Sequence, residues 1–436
     1  MAHTRESLPP ARAAALACLD AVLRGGQDVQ AALDHTLRHT PLGPQDRGLA
    51  TELCYGYLRL KGRLDAILEH FLRSPEKLPS RLRLALGVAV YELLFLAKVP
   101  DYASVDWAVT FARTAFHAGL GKVANGVLRN VARTGADASS MAFVDDGKGG
   151  VDRLWARYYA CPEWLVRLWR GAYGDETAQA YLRAGVAAPP TGVRVNMRHA
   201  AGPATYDTLA QRDDCVAALR PGLAFAAGAA LSFEERHAQG ILSFQSLAAQ
   251  EALQALRPES WDGPIWDACA GRGGKTLALV EQGRDDVLAS DPSARRMAQL
   301  PGQCARLGLP DVPVAVAAAD GAQAPFEGSF GAILLDVPCS GLGVLSRRPD
   351  AKWRRTPGDL ETLVRTQQAI VRACAGRVRP GGRLAYITCT LSPAENEEQA
   401  ARLVAEHAGF SIETSWATPA SSPLGEFFFA ALFRRS

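Results

Sequence analysis

The sequence predicts a mostly parallel α/β domain from about residue 241 onward, preceded by an all-helical N-terminal region and a small α+β segment. Three observations predict it. From Ser243, strand-length apolar runs alternate with helical segments, the pattern of a parallel sheet with crossover helices. Residues 1–133 carry alanine and leucine at helical spacing. Cys339 and Cys389 each follow an apolar run, Ala332 to Leu335 and Leu384 to Ile387. Each therefore falls at the C-terminal end of a strand, the edge of an open α/β sheet where ligands bind.

In the first 133 residues, helical periodicity runs through Arg12 to Leu23, Leu49 to Leu72 and Leu82 to Ala97. Arg24-Gly25-Gly26, Ser74-Pro75 and Val99-Pro100 punctuate it. This region holds 17 Lys/Arg against 12 Asp/Glu, while the whole chain has a net charge of only +3, so no global field announces a nucleic-acid partner. Residues 134–151, rich in Gly, Asp and Ser, read as a linker with little to anchor it. Residues 152–240 are mixed, with a helical stretch from Pro162 and a strand-like Val193 to Asn196.

The nine cysteines include no CxxC pair, which argues against a secreted disulfide framework and against zinc. The longest greasy stretch, Leu84 to Ala97, is too short to span a bilayer and contains Glu92. The N-terminus lacks an apolar signal core. The expectation is a soluble, cytoplasmic protein with no membrane partner, taken as a monomer. Cys18, Cys54, Cys269, Cys304 and Cys374 read as buried small hydrophobes, and Cys161 and Cys215 carry no reading.

Seven candidate strands follow in the C-terminal region: Pro264 to Ala268, Asp286 to Ser290, Val312 to Ala317, Phe330 to Leu335, Arg383 to Thr388, Phe410 to Glu413 and Phe427 to Phe433. After the first comes a turn that opens a helix, containing Cys269-Ala270-Gly271-Arg272-Gly273-Gly274-Lys275. Glycines let backbone approach a ligand closely, and a helix N-terminus favours an anion. Asp291 ends the next strand, where a carboxylate can accept from both hydroxyls of a ribose. Asp320 ends the third, in reach of an adenine amino group, and Asp336 ends the fourth.

That order, one acidic residue per strand end after a glycine turn, resembles the S-adenosylmethionine layout of the class I (Rossmann-like) methyltransferases. The resemblance makes Cys269 to Lys275, Asp291, Asp320 and Asp336 the cofactor-binding residues. Lys275 either orients Asp336 or the substrate, or is a solvated first-turn lysine.

Asp336-Val337-Pro338-Cys339 and Thr388-Cys389 together resemble the RNA cytosine-5 methyltransferases of the RsmB (Sun/Fmu) type, and Tyr102 to Asn130 is similar to the end of a NusB-type RNA-binding domain. The resemblance covers the whole chain: a NusB-like domain at 1–133, a linker at 134–151, a small α+β domain at 152–240 and the catalytic domain at 241–436. It implies S-adenosylmethionine as cofactor, RNA as partner, and 5-methylcytosine in 16S ribosomal RNA as product. Carbon 5 of cytosine is too weak a nucleophile to take a sulfonium methyl unaided, so a thiolate first adds at carbon 6. The family's pattern makes Cys389 the attacking nucleophile, Cys339 the residue that assists release, and Asp336 the partner on the cytosine edge. Arg348-Pro349-Asp350-Ala351-Lys352-Trp353 matches a family motif and implies an RNA contact by Arg348, Lys352 and Trp353.

Ser392 to Glu395 reads as a capping box opening a helix just past Cys389, which favours thiolate. Three departures stand out: Gly271-Arg272 replaces the family's Ala-Pro, Ser246 replaces an aspartate after Gln245, and Gly425-Glu426-Phe427-Phe428 replaces Asp-Gly-Phe-Phe. The rival readings are a non-catalytic RNA-binding or ribosome-assembly factor that kept the fold, a NusB-like antitermination module with an appended domain, and the same chemistry on a transfer RNA.

Overall fold

Proline at the first helical position and a polar cap start several N-terminal helices in the computed structural model, which describes residues 8–319 and 325–436. Asp320 lies outside the described residues. Helices run over Pro10–Leu23, Val29–His39, Pro44–Phe71, Ser80–Phe95, Asp101–Ala115 and Ala118–Thr134. Pro10 and Pro44 supply the fixed φ of a first turn. Asp28 Oδ1 accepts from the Gln30 and Ala31 amides, both at 3.1 Å, and so caps the second helix.

Helix Ser80–Phe95 is buried on nearly all sides, which accounts for the greasy stretch: it is the middle of a helical bundle. Among the described residues, no helix is long and apolar enough to cross a membrane. Glu92 on this helix is fully buried yet satisfied, accepting from Arg12 Nε at 2.9 Å, Ser104 Oγ at 2.7 Å and Trp107 Nε1 at 3.0 Å.

The chain divides into two compact units. The first takes residues up to 187 together with 348–354. The segment 134–151 is anchored within it, contrary to the expectation of a loose linker. Ala138 and Val144 are fully buried, and Arg157 Nε donates to the Val144 carbonyl at 2.6 Å. Helices Val151–Tyr158 and Glu163–Val186, the latter broken at Gly174 (φ +76°), also belong to this unit. Buried Leu165, Val166 and Trp169, and the Arg157–Glu69 pair at 2.7 Å, attach them there. The boundary between units therefore falls at 187/188, inside the span 152–240 that the sequence suggests as one domain.

The second unit holds two sheets. Strands β1 (Thr191–Val195), β2 (Cys215–Leu219), β3 (Gly222–Phe225) and β4 (Leu242–Phe244) form an antiparallel sheet in the order β2-β3-β1-β4. Strands β5 (Ile265–Asp267), β6 (Val287–Asp291), β7 (Val314–Val316), β8 (Phe330–Asp336), β9 (Val378–Thr388), β10 (Phe410–Ala417) and β11 (Phe429–Arg435) form the larger one. Its order is β10-β11-β9-β8-β5-β6-β7, with only β11 running against the rest.

Central strands β5 and β8 are buried on both faces, as their near-continuous apolar runs demand. From β5 the chain winds one way to β6 and β7, then returns to the other side for β8 and β9. The crevice at this switch point opens beyond the C-terminal ends of β5 and β8.

Candidate active site

The turn after β5 is shaped by glycine. Gly271 and Gly273 adopt φ of +59° and +82°, and a Cβ on Gly273 would stand 2.4 Å from Leu300 Cδ1. Gly271, the departure from the usual Ala-Pro, uses its freedom: its amide donates to Asp291 Oδ2 at 3.1 Å. The neighbouring Ala270 amide donates to the Ser290 carbonyl at 3.0 Å. Ser293 N donates to the other oxygen of Asp291 at 2.9 Å. The carboxylate at the end of β6 is thereby fixed against the glycine turn, and its oxygens keep lone pairs for further donors. Arg272 is exposed.

A carboxylate that the sequence reading passed over lies beneath the turn. Asp267, the last residue of β5, is fully buried; its Oδ2 accepts from Thr276 Oγ1 at 2.6 Å, while Oδ1 has no protein partner. Burial pushes its pKa up to about 7, against the Thr276 hydrogen bond. An unpartnered buried acceptor beside a glycine cradle suits a cationic, hydrogen-bond-donating ligand. Its place at the head of the glycine turn was the available signal. These residues fit an S-adenosylmethionine-like group: a cradle that excludes Cβ atoms, a fixed carboxylate for a ribose, and an orphan acceptor for an ammonium.

Lys275, one residue into the following helix, reaches Asp336 at the end of β8, Nζ to Oδ2 at 2.6 Å. Desolvation pulls the ammonium's pKa down, but the neighbouring Asp336, with Cys389 and Asp267, leaves it above its ordinary value. Of the two readings of Lys275, the structure has it orienting Asp336. Asp336 keeps about a third of its side chain exposed, at 35%.

Cys339 and Cys389 meet in space. Their sulfurs are 3.3 Å apart, and the Cys389 amide points at Cys339 Sγ at 3.4 Å. Register explains the meeting: β8 pairs in parallel with β9, Asp336 opposite Ile387, so the loops that follow leave the sheet side by side. The contact with Cys389, then burial, pushes the Cys339 thiol well above its ordinary pKa.

The capping box at Ser392 does not form. The Ser392 side chain caps nothing, and a short 3₁₀ turn, Pro393–Glu395, precedes the helix Glu397–Glu406. Glu395 turns inward instead, fully buried, and accepts from the Ser340 amide at 2.8 Å and the Ser340 hydroxyl at 2.6 Å, beside Cys339.

Cys18, Cys54, Cys304 and Cys374 are buried as expected, and so is Cys161, while Cys269 is half-buried at the glycine turn. Of the proposed RNA contacts, Lys352 is corrected. It is 1% exposed inside the helical unit, donating to the Arg59 carbonyl at 2.9 Å. A buried ammonium satisfied by a carbonyl presents no surface to a phosphate. Trp353 Nε1 likewise donates to the Leu58 carbonyl at 2.7 Å. Arg348 pairs with Asp28 at 2.8 Å and stays half-exposed.

Of the other departures, nothing in the structure explains Ser246, whose side chain caps nothing, while Glu426 is paired. Glu426 receives Arg347 Nε at 2.9 Å. Gln245 joins a buried cluster in which Arg194 holds Glu281 at 2.8 and 2.9 Å and donates to the Gly274 carbonyl at 2.9 Å.

A seven-stranded sheet with one antiparallel strand, carrying this glycine turn at its switch point, defines a class I, Rossmann-like methyltransferase. The chain is 33% identical over 94% of its length to a probable ribosomal RNA small subunit methyltransferase B of Synechocystis, covering 92% of that protein. It is also 33% identical, over 88% of its length, to the protein of the same description in Bacillus subtilis, covering 85% of it. The chain belongs to the ribosomal RNA small subunit methyltransferase B family.

Residues 253–431 match the 16S rRNA methyltransferase RsmB/F family, 9–133 the NusB family and 161–219 the ferredoxin-like domain of RsmF/B-like methyltransferases. The fold is shared with the crystal structure of PH0851, at a TM-score of 0.75 and 22% identity, covering 98% of this chain and 99% of that one. NSun6 from Pyrococcus horikoshii, solved with the S-adenosylmethionine analogue SFG, aligns at a TM-score of 0.55 and 20% identity, over 63% of this chain and 98% of its own.

Proposed function

We propose that this protein methylates carbon 5 of a cytosine in small-subunit ribosomal RNA through a covalent cysteine–RNA intermediate. The observation that carries the reading is the pair of sulfurs 3.3 Å apart at the ends of adjacent strands, beside the Lys275–Asp336 pair. S-adenosylmethionine, held by Cys269 to Lys275, Asp291 and Asp336, with Asp320 as the adenine partner, supplies the methyl group.

Cys389 attacks. Its sulfur adds to carbon 6 of the cytosine, and the displaced electron pair makes carbon 5 the nucleophile. Asp336, with Oδ2 occupied by Lys275, offers its other oxygen to the cytosine edge. After methylation water takes the carbon 5 proton, the carbon–hydrogen electron pair re-forms the ring double bond between carbons 5 and 6, the carbon–sulfur bond breaks, and Cys389 leaves as thiolate. Cys339, kept as a thiol by its surroundings, hydrogen-bonds that departing sulfur and so assists release. Arg348 remains the exposed candidate for an RNA phosphate.

The test is transfer of radiolabelled methyl groups to small-subunit RNA, large-subunit RNA and transfer RNA, with Cys389→Ala beside the wild type. Label in small-subunit RNA that vanishes in the variant supports the reading. Label that survives in Cys389→Ala and vanishes in Cys339→Ala reverses the roles of the two cysteines. No label on any RNA would favour a non-catalytic factor.

A further inference from the structure

Ser340 and Thr390, each directly after one of the two cysteines, touch through their hydroxyls at 2.5 Å, and both are buried. A serine hydroxyl has one proton. Ser340 Oγ lies 2.6 Å from Glu395 Oε1, and the Ser340 amide and the Gln367 side-chain amide both donate to Oε2, at 2.8 and 3.0 Å. With donors converging on both oxygens, Glu395 accepts throughout. Ser340 therefore donates to Glu395 and receives from Thr390, which makes a one-way chain from the Cys389 loop to the Cys339 loop to the carboxylate.

The surroundings fix each end. Gln367 Nε2 also donates to the Pro338 carbonyl at 3.0 Å, and the Tyr386 hydroxyl reaches the Glu395 carbonyl at 2.7 Å. On the other loop, Asn396 accepts from Thr388 Oγ1 at 2.5 Å and donates to the Thr390 carbonyl at 3.0 Å. Adjacent residues thus grip the two cysteine loops, Glu395 one and Asn396 the other. Gly343 adds a backbone tie, its amide donating to the Cys389 carbonyl at 3.0 Å.

Resting on the roles given to Cys389 and Cys339 above, we propose that Glu395 is a positioning residue. Through Ser340 and Thr390 it holds the two cysteine loops in register, and so sets the sulfur–sulfur contact on which release of the methylated base depends. Its grip is direct on the Cys339 side, at Ser340 itself and through Gln367 at Pro338. On the Cys389 side Glu395 is part of the loop itself, so what its side chain adds is the hold on the Cys339 loop. Loss of Glu395 therefore acts first on release.

The test compares Glu395→Gln, Thr390→Val and Cys339→Ala in the full chain. It measures turnover, S-adenosylmethionine affinity by calorimetry, and covalent protein–RNA adduct on denaturing gels. Glutamine keeps the shape of Glu395 but turns one acceptor into a donor facing donors. Glu395→Gln is expected to lower turnover about 100-fold, the scale of a small misplacement of reacting groups. Cofactor affinity stays within about twofold, because the chain makes no contact with the glycine turn. The adduct accumulates as it does in Cys339→Ala.

That accumulation separates positioning from mere support of the fold, which would lower turnover without trapping an intermediate. Thr390→Val removes only the hydroxyl and shows the same pattern more weakly; it carries the test if Glu395→Gln does not fold. An adduct trapped by Cys339→Ala but by neither of the other variants overturns the role of Glu395 and leaves the chemistry standing. No adduct in any variant, with Cys389→Ala still active, overturns the chemistry itself.

Discussion

Lys275 Nζ stands 2.6 Å from Asp336 Oδ2, joining the helix after the glycine turn to the end of β8. One side chain thus ties the proposed cofactor half of the crevice to the proposed base-binding half. Removing the ammonium leaves Asp336 unpaired but still partly in water. Lys275→Met is therefore expected to cost about 1–3 kcal/mol, less than breaking a fully buried pair, and to lower turnover more than it weakens cofactor binding. The folded pKa of Lys275 lies above the ordinary 10.5. Its stabilisation is thus complete below pH 10.5 and fades only as pH rises beyond it. Melting curves of wild type and variant between pH 7 and 11, on the order of one unit apart, check this.

Asp267 behaves oppositely in the ligand-free protein. Its pKa is raised from 3.8 to about 7, so it favours the fold fully below pH 3.8 and loses that contribution as pH rises toward 7. Asp267→Asn keeps an acceptor for Thr276 and removes the buried charge. The variant should melt higher than wild type at pH 8, by at most roughly 4 kcal/mol of stability, with the difference shrinking at pH 5. S-adenosylmethionine should reverse the ranking if its ammonium takes the free oxygen. A calorimetric titration showing equal affinity in both proteins would remove that role.

Arg194 is anchored by Glu281 and hands a hydrogen bond to the Gly274 carbonyl. Arg194→Leu leaves a buried carboxylate alone and is expected to destabilise by about 3–5 kcal/mol. Arg194→Leu combined with Glu281→Leu should recover most of that stability but not cofactor affinity, because Gly274 stays ungripped. Thermal melting and calorimetry on the single and double variants separate the two effects.

Lys352→Met checks the reassignment of the basic motif. A lysine that neutralises a phosphate lowers the salt slope of RNA binding by about 1 when removed. Lys352 is buried, so RNA affinity should change by less than about twofold and the slope not at all. Burial lowers its pKa from 10.5 to about 8, so the wild type gains stability as pH rises between those values, and the variant lacks that slope. Filter binding at several salt concentrations, with melts at pH 7 and above, reads both.

Much of the site was legible because strand ends are legible. Apolar runs ending in Asp291, Asp336 and, one residue on, Cys389 place those groups on one edge of the sheet, and the glycine turn marks the switch point. What escaped the sequence is which way polar side chains face. Glu395 has the spacing of a helix cap, yet it turns inward onto the amide and hydroxyl of Ser340. Lys352 looks like a surface cation, yet an open carbonyl at Arg59 draws it into the helical unit. The looseness assigned to 134–151 came from its composition, whereas two small apolar residues, Ala138 and Val144, sufficed to pin it.

The position of β11 has a consequence for synthesis of the protein. It lies between β9 and β10, pairing Phe429 with Thr388 beside the proposed nucleophile. Until residues 429–435 have left the ribosome, β9 carries a bare edge and the Cys389 loop lacks a flank. The flank of the Cys389 loop is thus among the last parts of the fold to be made, and the loop is completed only after residues 429–435 have joined the sheet.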